Sequence, residues 1–218
     1  MYVIMDDRFL SEVIVDQWVQ GGPIKTTDLS GSVVLIEVFQ VNCPGCFIYS
    51  LPKAIQLHDQ YHAKGLVVIG LATAFEDYDK NTLENLKKLV TTGEVIGETY
   101  KALNQHGLLT DGKLQWQLPF AVGMDRVVPD NLPVTDERVL AYVYKILPEF
   151  DKLPEEQKQA VITQVRLYME QKTMAAATFE RFSLQGTPSS ILFDREGQLK
   201  DVSFGQVEYK QSLIEQCL

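Results

Sequence analysis

The sequence predicts an α/β sandwich: a central mixed sheet flanked by helices. Two seven-residue runs, VVLIEVF (33–39) and LVVIGLA (66–72), are apolar almost throughout and rich in β-branched residues. That length and continuity suit strands buried on both faces of a parallel sheet. Each run is followed by a segment with helical periodicity, and strands alternating with helices pair in parallel. Near the C-terminus the rhythm changes. SSILFD (189–194), an Arg195–Glu196–Gly197 turn and LKDVSFG (199–205) read as an antiparallel hairpin, which makes the sheet mixed.

Residues 1–31 read as an N-terminal extension, extended and punctuated by turns at Gly21–Gly22–Pro23 and Ser30–Gly31. After the first strand, 44–63 reads as a helix, with Ile48, Leu51 and Ile55 at helical spacing. Pro44 suits its first turn, where a missing N–H costs nothing, while Pro52 falls inside the pattern and predicts a kink. Gly65 closes the helix. The stretch 80–92 predicts an amphipathic helix capped by Asn81 or Thr82. A less regular piece, 93–117, precedes a third strand, LPFAVGM (118–124).

Residues 126–180 are too many for a loop in a compact domain and predict a helical insertion. Helices are expected at 135–147 and 155–183, the second starting at Pro154 and Glu155–Glu156. Tyr142, Tyr144, Tyr168, Met169 and Met174 form either a packing stripe or a partner surface. A terminal helix at 207–217 completes one domain, 1–218, with the insertion inside it.

Composition narrows the function. The chain has 218 residues, 45% hydrophobic and 22% charged, enough to bury a core without disulfide staples. Its net charge of −9 speaks against nucleic acid and against anionic lipid. The first twenty residues contain Asp6, Asp7, Glu12 and Asp16, unlike the basic start and unbroken apolar stretch of a signal peptide. No apolar run approaches a membrane span. The expectation is a cytoplasmic protein with no nucleic-acid or membrane partner. In a reducing compartment a permanent structural disulfide is not expected, which leaves a reversible dithiol or a metal site.

The sequence VNCPGCF (41–47) is where this choice matters. Cys43 and Cys46 sit where a strand ends and a helix begins. A thiol at a helix N-terminus meets unpaired N–H groups and the positive end of the dipole, and both favour the nucleophilic thiolate. Cys46, one turn later, is placed to attack a mixed disulfide formed at Cys43. Pro44 and Gly45, at the helix N-terminus, bring no charge and little bulk. Zinc usually takes four ligands, and neither a second CxxC nor a CxH pair is present. His58 and His62 read as surface residues, so no metal is expected. Cys217 is left over near a chain end, read as a thiol without function.

With these residues in view the chain resembles the thioredoxin-fold thiol–disulfide oxidoreductases, in the style of their TlpA-like and redoxin branch. WVQGGPIKTTDLSGSVVLIEVF, NCPGC, LVVIGLA and GTPSSILFDREGQL carry the resemblance. It implies a thioredoxin-like sandwich. It places Pro188 at the cis-proline facing the CxxC, with Thr187 offering its backbone to an extended substrate. Glu37 stands alone in an apolar strand, where burial should raise its pKa. The resemblance gives it the role of the buried acid that helps to deprotonate Cys46.

The implied activity is thiol–disulfide exchange, as a protein-disulfide reductase, without a cofactor. A disulfide-containing protein or small thiol would be substrate, and another thiol would be the redox partner. The alternative is a binding or adaptor module with a regulatory dithiol. The chain departs from the family pattern twice: Asn42 stands where Trp usually precedes the first cysteine, and Pro52 lies six residues after Cys46 rather than five. A peroxiredoxin-type site is excluded because Gln40 and Ile36 occupy its Thr and Pro places. The cysteine spacing is also too short for a Sco-type copper chaperone.

Overall fold

The computed structural model describes residues 8–206, 208 and 210–218. Asp6 and Asp7 lie outside them, as do two positions, 207 and 209, at the start of the expected terminal helix. The chain divides into two compact units, Met1–Arg126 with Ala176–Leu218, and Val127–Ala175.

The strands, in chain order, are β1 (Val15–Gln20), β2 (Val33–Phe39), β3 (Leu66–Ala72), β4 (Leu109–Thr110), β5 (Lys113–Leu114), β6 (Ala121–Asp125), β7 (Val127–Pro129), β8 (Met174–Ala176), β9 (Ser189–Phe193) and β10 (Leu199–Phe204). The α-helices are α1 (Leu51–Tyr61), α2 (Leu83–Thr92), α3 (Gly97–Gln105), α4 (Asp136–Ile146), α5 (Glu155–Gln171), α6 (Ala177–Arg181) and α7 (Lys210–Cys217).

In the first unit six strands form one mixed sheet in the order β1-β6-β3-β2-β9-β10. β2 and β6 run parallel to β3, while β9 is antiparallel to β2 and β10 to β9. β2 is central and buried at every residue, as its apolar run requires. Its one charged residue, Glu37, lies opposite Ser190 of β9 and Gly70 of β3.

Three elements differ from expectation. Part of the N-terminal extension is a true strand: β1 pairs with β6, with irregular register. The stretch 93–117 contains α3, whose N-cap residue, Ile96, supplies no side-chain cap. The helix expected at 155–183 is broken into α5, the short strand β8 and α6. The cap of α6 comes from far away in sequence. The buried Asp125, at the end of β6, accepts from the N–H groups of Thr178 at 2.9 Å and Phe179 at 3.1 Å. α2 is capped as predicted, by the Thr82 hydroxyl accepting from Asn85 N.

The second unit is built on α4 and α5 around buried Val139, Val143, Phe150 and Val165, with Tyr142 and Met169 packed against them. Tyr144 and Tyr168 are exposed. β7 and β8 form a separate two-stranded pair.

Candidate active site

β2 delivers the chain into a tight turn, and helical conformation starts at Pro44. Cys43 and Cys46 are joined by a disulfide, their Cα atoms 5.4 Å apart. Cys43 is half-buried, whereas Cys46 is 0% exposed. The backbone N–H of Cys46 points at the outer cysteine, 3.3 Å from its Sγ and 3.0 Å from its carbonyl oxygen. At the helix start it is shared between that carbonyl and the sulfur, and it would stabilise negative charge on Cys43. The two sulfurs are thus unequal: one is reachable and solvated by backbone, the other enclosed.

Residues Cys46–Ser50 form a π-turn in which Leu51 N–H donates to the Cys46 carbonyl, five residues back. Such a turn holds one more residue than an α-helical turn. It therefore absorbs the extra residue between Cys46 and Pro52, which lands in the first turn of α1, where its missing N–H is harmless. The disturbance expected at Pro52 takes this form. The Ser50 hydroxyl also donates to the Cys46 carbonyl, at 3.3 Å.

The peptide Thr187–Pro188 is cis. Cys43 Sγ lies 3.5 Å from the Thr187 carbonyl oxygen, although the residues are 144 apart in sequence. A methyl group on Gly45 would sit 3.8 Å from the Pro188 ring. The fold therefore brings together Cys43, Gly45, Thr187 and Pro188. The Thr187 hydroxyl donates to Gln40 Oε1 at 3.0 Å, and Gln40 Nε2 donates to the Glu76 carbonyl at 3.3 Å. Gly205 N–H donates to the Pro188 carbonyl at 2.8 Å, which fixes the loop from its other side.

Glu37 is 1% exposed, and burial pushes its pKa up. The Lys210 ammonium and the hydroxyls of Ser190 and Ser50 oppose that rise. Ser190 donates to Glu37 Oε2 at 2.7 Å, Lys210 Nζ stands 3.7 Å from the same oxygen, and Lys210 also donates to Ser190 Oγ. Glu37 Oε1 has no hydrogen-bond partner among the described residues. Lys210, Ser190 and Ser50 were not foreseen from the sequence. A serine facing Glu37 across a strand pair was in principle legible once register was known. Nothing local marks Lys210, an ordinary lysine at the start of a helix.

Asn42 does not stack over the site as a tryptophan would. It is buried and ties three segments together. Its N–H donates to Asn81 Oδ1 at 2.9 Å, its Nδ2 to Asp77 Oδ2 at 2.6 Å, and its Oδ1 accepts from Glu98 N at 2.7 Å. Asn42 thus supplies the cap that Ile96 lacks. A tryptophan does stand nearby from another element: Trp116 stacks on Phe47, the residue after Cys46, with centroids 6.3 Å apart.

The remaining candidates lie apart from this chemistry. His58 and His62 stack on each other at 5.0 Å, and burial pushes the His58 pKa down. No group of three or more possible metal-ligating side chains occurs among the described residues. Cys217 is a half-buried free thiol whose pKa burial pushes up, which lowers its reactivity. No helix among the described residues is long and apolar enough to cross a membrane.

No protein-family model and no curated protein sequence matches the chain. Solved structures do match. A thiol-disulfide isomerase from Corynebacterium glutamicum aligns with a TM-score of 0.58 at 26% identity, over 98% of this chain and 97% of that one. A thioredoxin-like superfamily protein aligns with a TM-score of 0.58 at 22% identity, over 96% and 95% of the two chains. A thioredoxin-like protein in its oxidised form reaches a TM-score of 0.53 at 12% identity, over 97% and 95%. The chain is a thioredoxin-fold thiol–disulfide oxidoreductase, and it carries Cys43 and Cys46 paired in a disulfide.

Proposed function

We propose that the protein is a protein-disulfide reductase of TlpA-like style working in the cytoplasm. Cys43 attacks a substrate disulfide, Cys46 resolves the mixed disulfide, and Glu37 takes the proton from Cys46. Thr187 and Pro188 hold the substrate segment against Cys43. The substrate is a disulfide-containing protein or a small disulfide, and a separate thiol returns the electrons. The observation that carries this reading is the inequality of the sulfurs. Cys43 is reachable, 3.5 Å from the Thr187 carbonyl, and faced by a helix-start N–H, while Cys46 is enclosed.

The reduction potential tests the direction. Equilibration with thiol buffers should give a value near that of thioredoxin, about −270 mV. A value near about −120 mV would mark an oxidant and would contradict both the direction and the compartment. Roles are tested by Cys46→Ser, which should accumulate mixed disulfides through Cys43, and by Glu37→Gln, which should slow their release.

An adaptor with a regulatory dithiol is favoured by one observation. The helical unit exposes Leu132, Ile146 and Leu167, at 66%, 50% and 51%. Failure of Cys46→Ser to trap any adduct, together with tight capture of a partner through that unit, would select it.

A further inference from the structure

Cys46 must lose a proton to attack, yet it is 0% exposed and cannot give that proton directly to solvent. Three features converge on Ser50. First, the π-turn sets it four residues after Cys46 on the same buried side of the helix, its hydroxyl donating to the Cys46 carbonyl at 3.3 Å. A hydroxyl has one proton and two lone pairs, so it can accept a proton while giving one up. Second, Ser50 is among the groups that oppose the rise of the Glu37 pKa, and Glu37 Oε1 is buried without a hydrogen-bond partner among the described residues. The other oxygen is already engaged by Ser190 and faced by Lys210. Third, a groove of about 460 Å³ is lined by both Ser50 and Lys210, together with Tyr49, Lys53, Gly205 and Gln206. It reaches the two residues that flank Glu37.

We infer that the Ser50 hydroxyl relays the proton from Cys46 Sγ to Glu37 Oε1, and that the groove shared by Ser50 and Lys210 returns it to solvent. This rests on the reading of Glu37 as the proton acceptor. In the step, the Ser50 O–H turns from the Cys46 carbonyl to Glu37, Cys46 Sγ gives its proton to Ser50 Oγ, and Ser50 gives its own to Glu37. The Cys46 sulfur pair forms the bond to Cys43 Sγ. The bond between Cys43 and the substrate sulfur breaks, and its pair leaves on the substrate as a thiolate, protonated by water. The dithiol is oxidised, the substrate disulfide is reduced, and the buried Glu37 returns its proton through Ser50, which lines the groove, to water there. An ordinary serine back-bond to a helix carbonyl would be structural only, and the experiment separates the two.

The reduced protein is mixed with an aromatic disulfide. The first thiolate released reports attack by Cys43, and the second reports resolution by Cys46. Ser50→Ala should lower the ratio of second-phase to first-phase rate by about a hundredfold or more, since one acid–base step contributes roughly 10²–10⁴-fold. Ser50→Thr should restore it, and Glu37→Gln should lower it similarly. A slow Glu37→Gln beside an unchanged Ser50→Ala overturns the relay and leaves Glu37 in place. An unchanged Glu37→Gln overturns both. Equal slowing in Ser50→Ala and Ser50→Thr assigns the effect to packing and overturns the relay. Lys210 acts on Glu37, and Lys53 and Glu208 also line the groove, so pH profiles are compared between variants. Should Ser50→Ala fail to fold, the wild type answers: the second phase must slow more than the first in D2O, and equal slowing overturns the relay.

Discussion

Replacing Lys210 by Met should destabilise the protein in a way that depends on pH. Lys210 Nζ stands 3.7 Å from Glu37 Oε2, both side chains are buried, and at an effective dielectric of about 20 such a pair attracts by about 4.5 kcal/mol. That agrees with the roughly 3–5 kcal/mol lost when one partner of a buried pair is removed. In the variant Glu37 can offset the loss by taking a proton. Its folded pKa is already raised by burial, so between the unfolded and folded values the native state binds more protons, and stability falls as pH rises. Without Lys210 the cation that opposes the rise is gone, and the window extends to higher pH. The cost of Lys210→Met should therefore be small in acid and grow as pH rises, until Glu37 is ionised even in the variant. Urea unfolding of the oxidised protein from about pH 5 to about pH 9 measures this. An equal cost at both ends would refute the coupling of Lys210 to an ionising Glu37.

Three further outcomes follow from the same packing. Gly97→Ala should cost about 1–3 kcal/mol by thermal unfolding, because its φ of +55° is left-handed and a Cβ there would overlap Asn42 Oδ1. Asp125→Ala should cost about 2–3 kcal/mol, since two helix N–H groups and the Thr73 hydroxyl lose their acceptor. Intrinsic fluorescence should change when the dithiol is reduced, through Trp116 stacked on Phe47, the residue after Cys46. That change should vanish in Trp116→Phe and persist in Trp18→Phe.

What the sequence reveals and conceals has a physical pattern. The strands β2 and β3 announce themselves because a strand buried on both faces must be apolar throughout. Cys43 and Cys46 are also legible, from their spacing at a strand–helix junction, and Thr187–Pro188 through the resemblance to thioredoxin-fold proteins. α3 and α6 are not, because their N-terminal donors are satisfied by Asn42 and Asp125 from distant segments. A capping rule that scans neighbours misses them. β1 lacks clean alternation, and its register with β6 is irregular. Lys210 and Ser50 become meaningful only once the fold sets them beside Glu37.

Stability alone does not account for that buried pair. Well-packed apolar groups in place of a buried ion pair are often neutral or stabilising by about 1–4 kcal/mol. The pair joins three elements: β2, which leads to Cys43; β9, which follows Pro188; and α7. Either it is a clamp that holds these elements in register, or it is retained for a proton at Glu37. The double variant Glu37→Leu, Lys210→Met separates the two. With both charges gone, the pair itself leaves no buried charge unpaired, and the Ser190 hydroxyl loses its partners there. If the chemistry is the reason, the double variant should match or exceed the wild type in urea, while its second thiolate release slows as in Glu37→Gln. If it instead loses as much stability as Lys210→Met at high pH, the pair is a structural clamp. Whether Glu37 also takes the proton of Cys46 is then decided by the second thiolate release of Glu37→Gln alone.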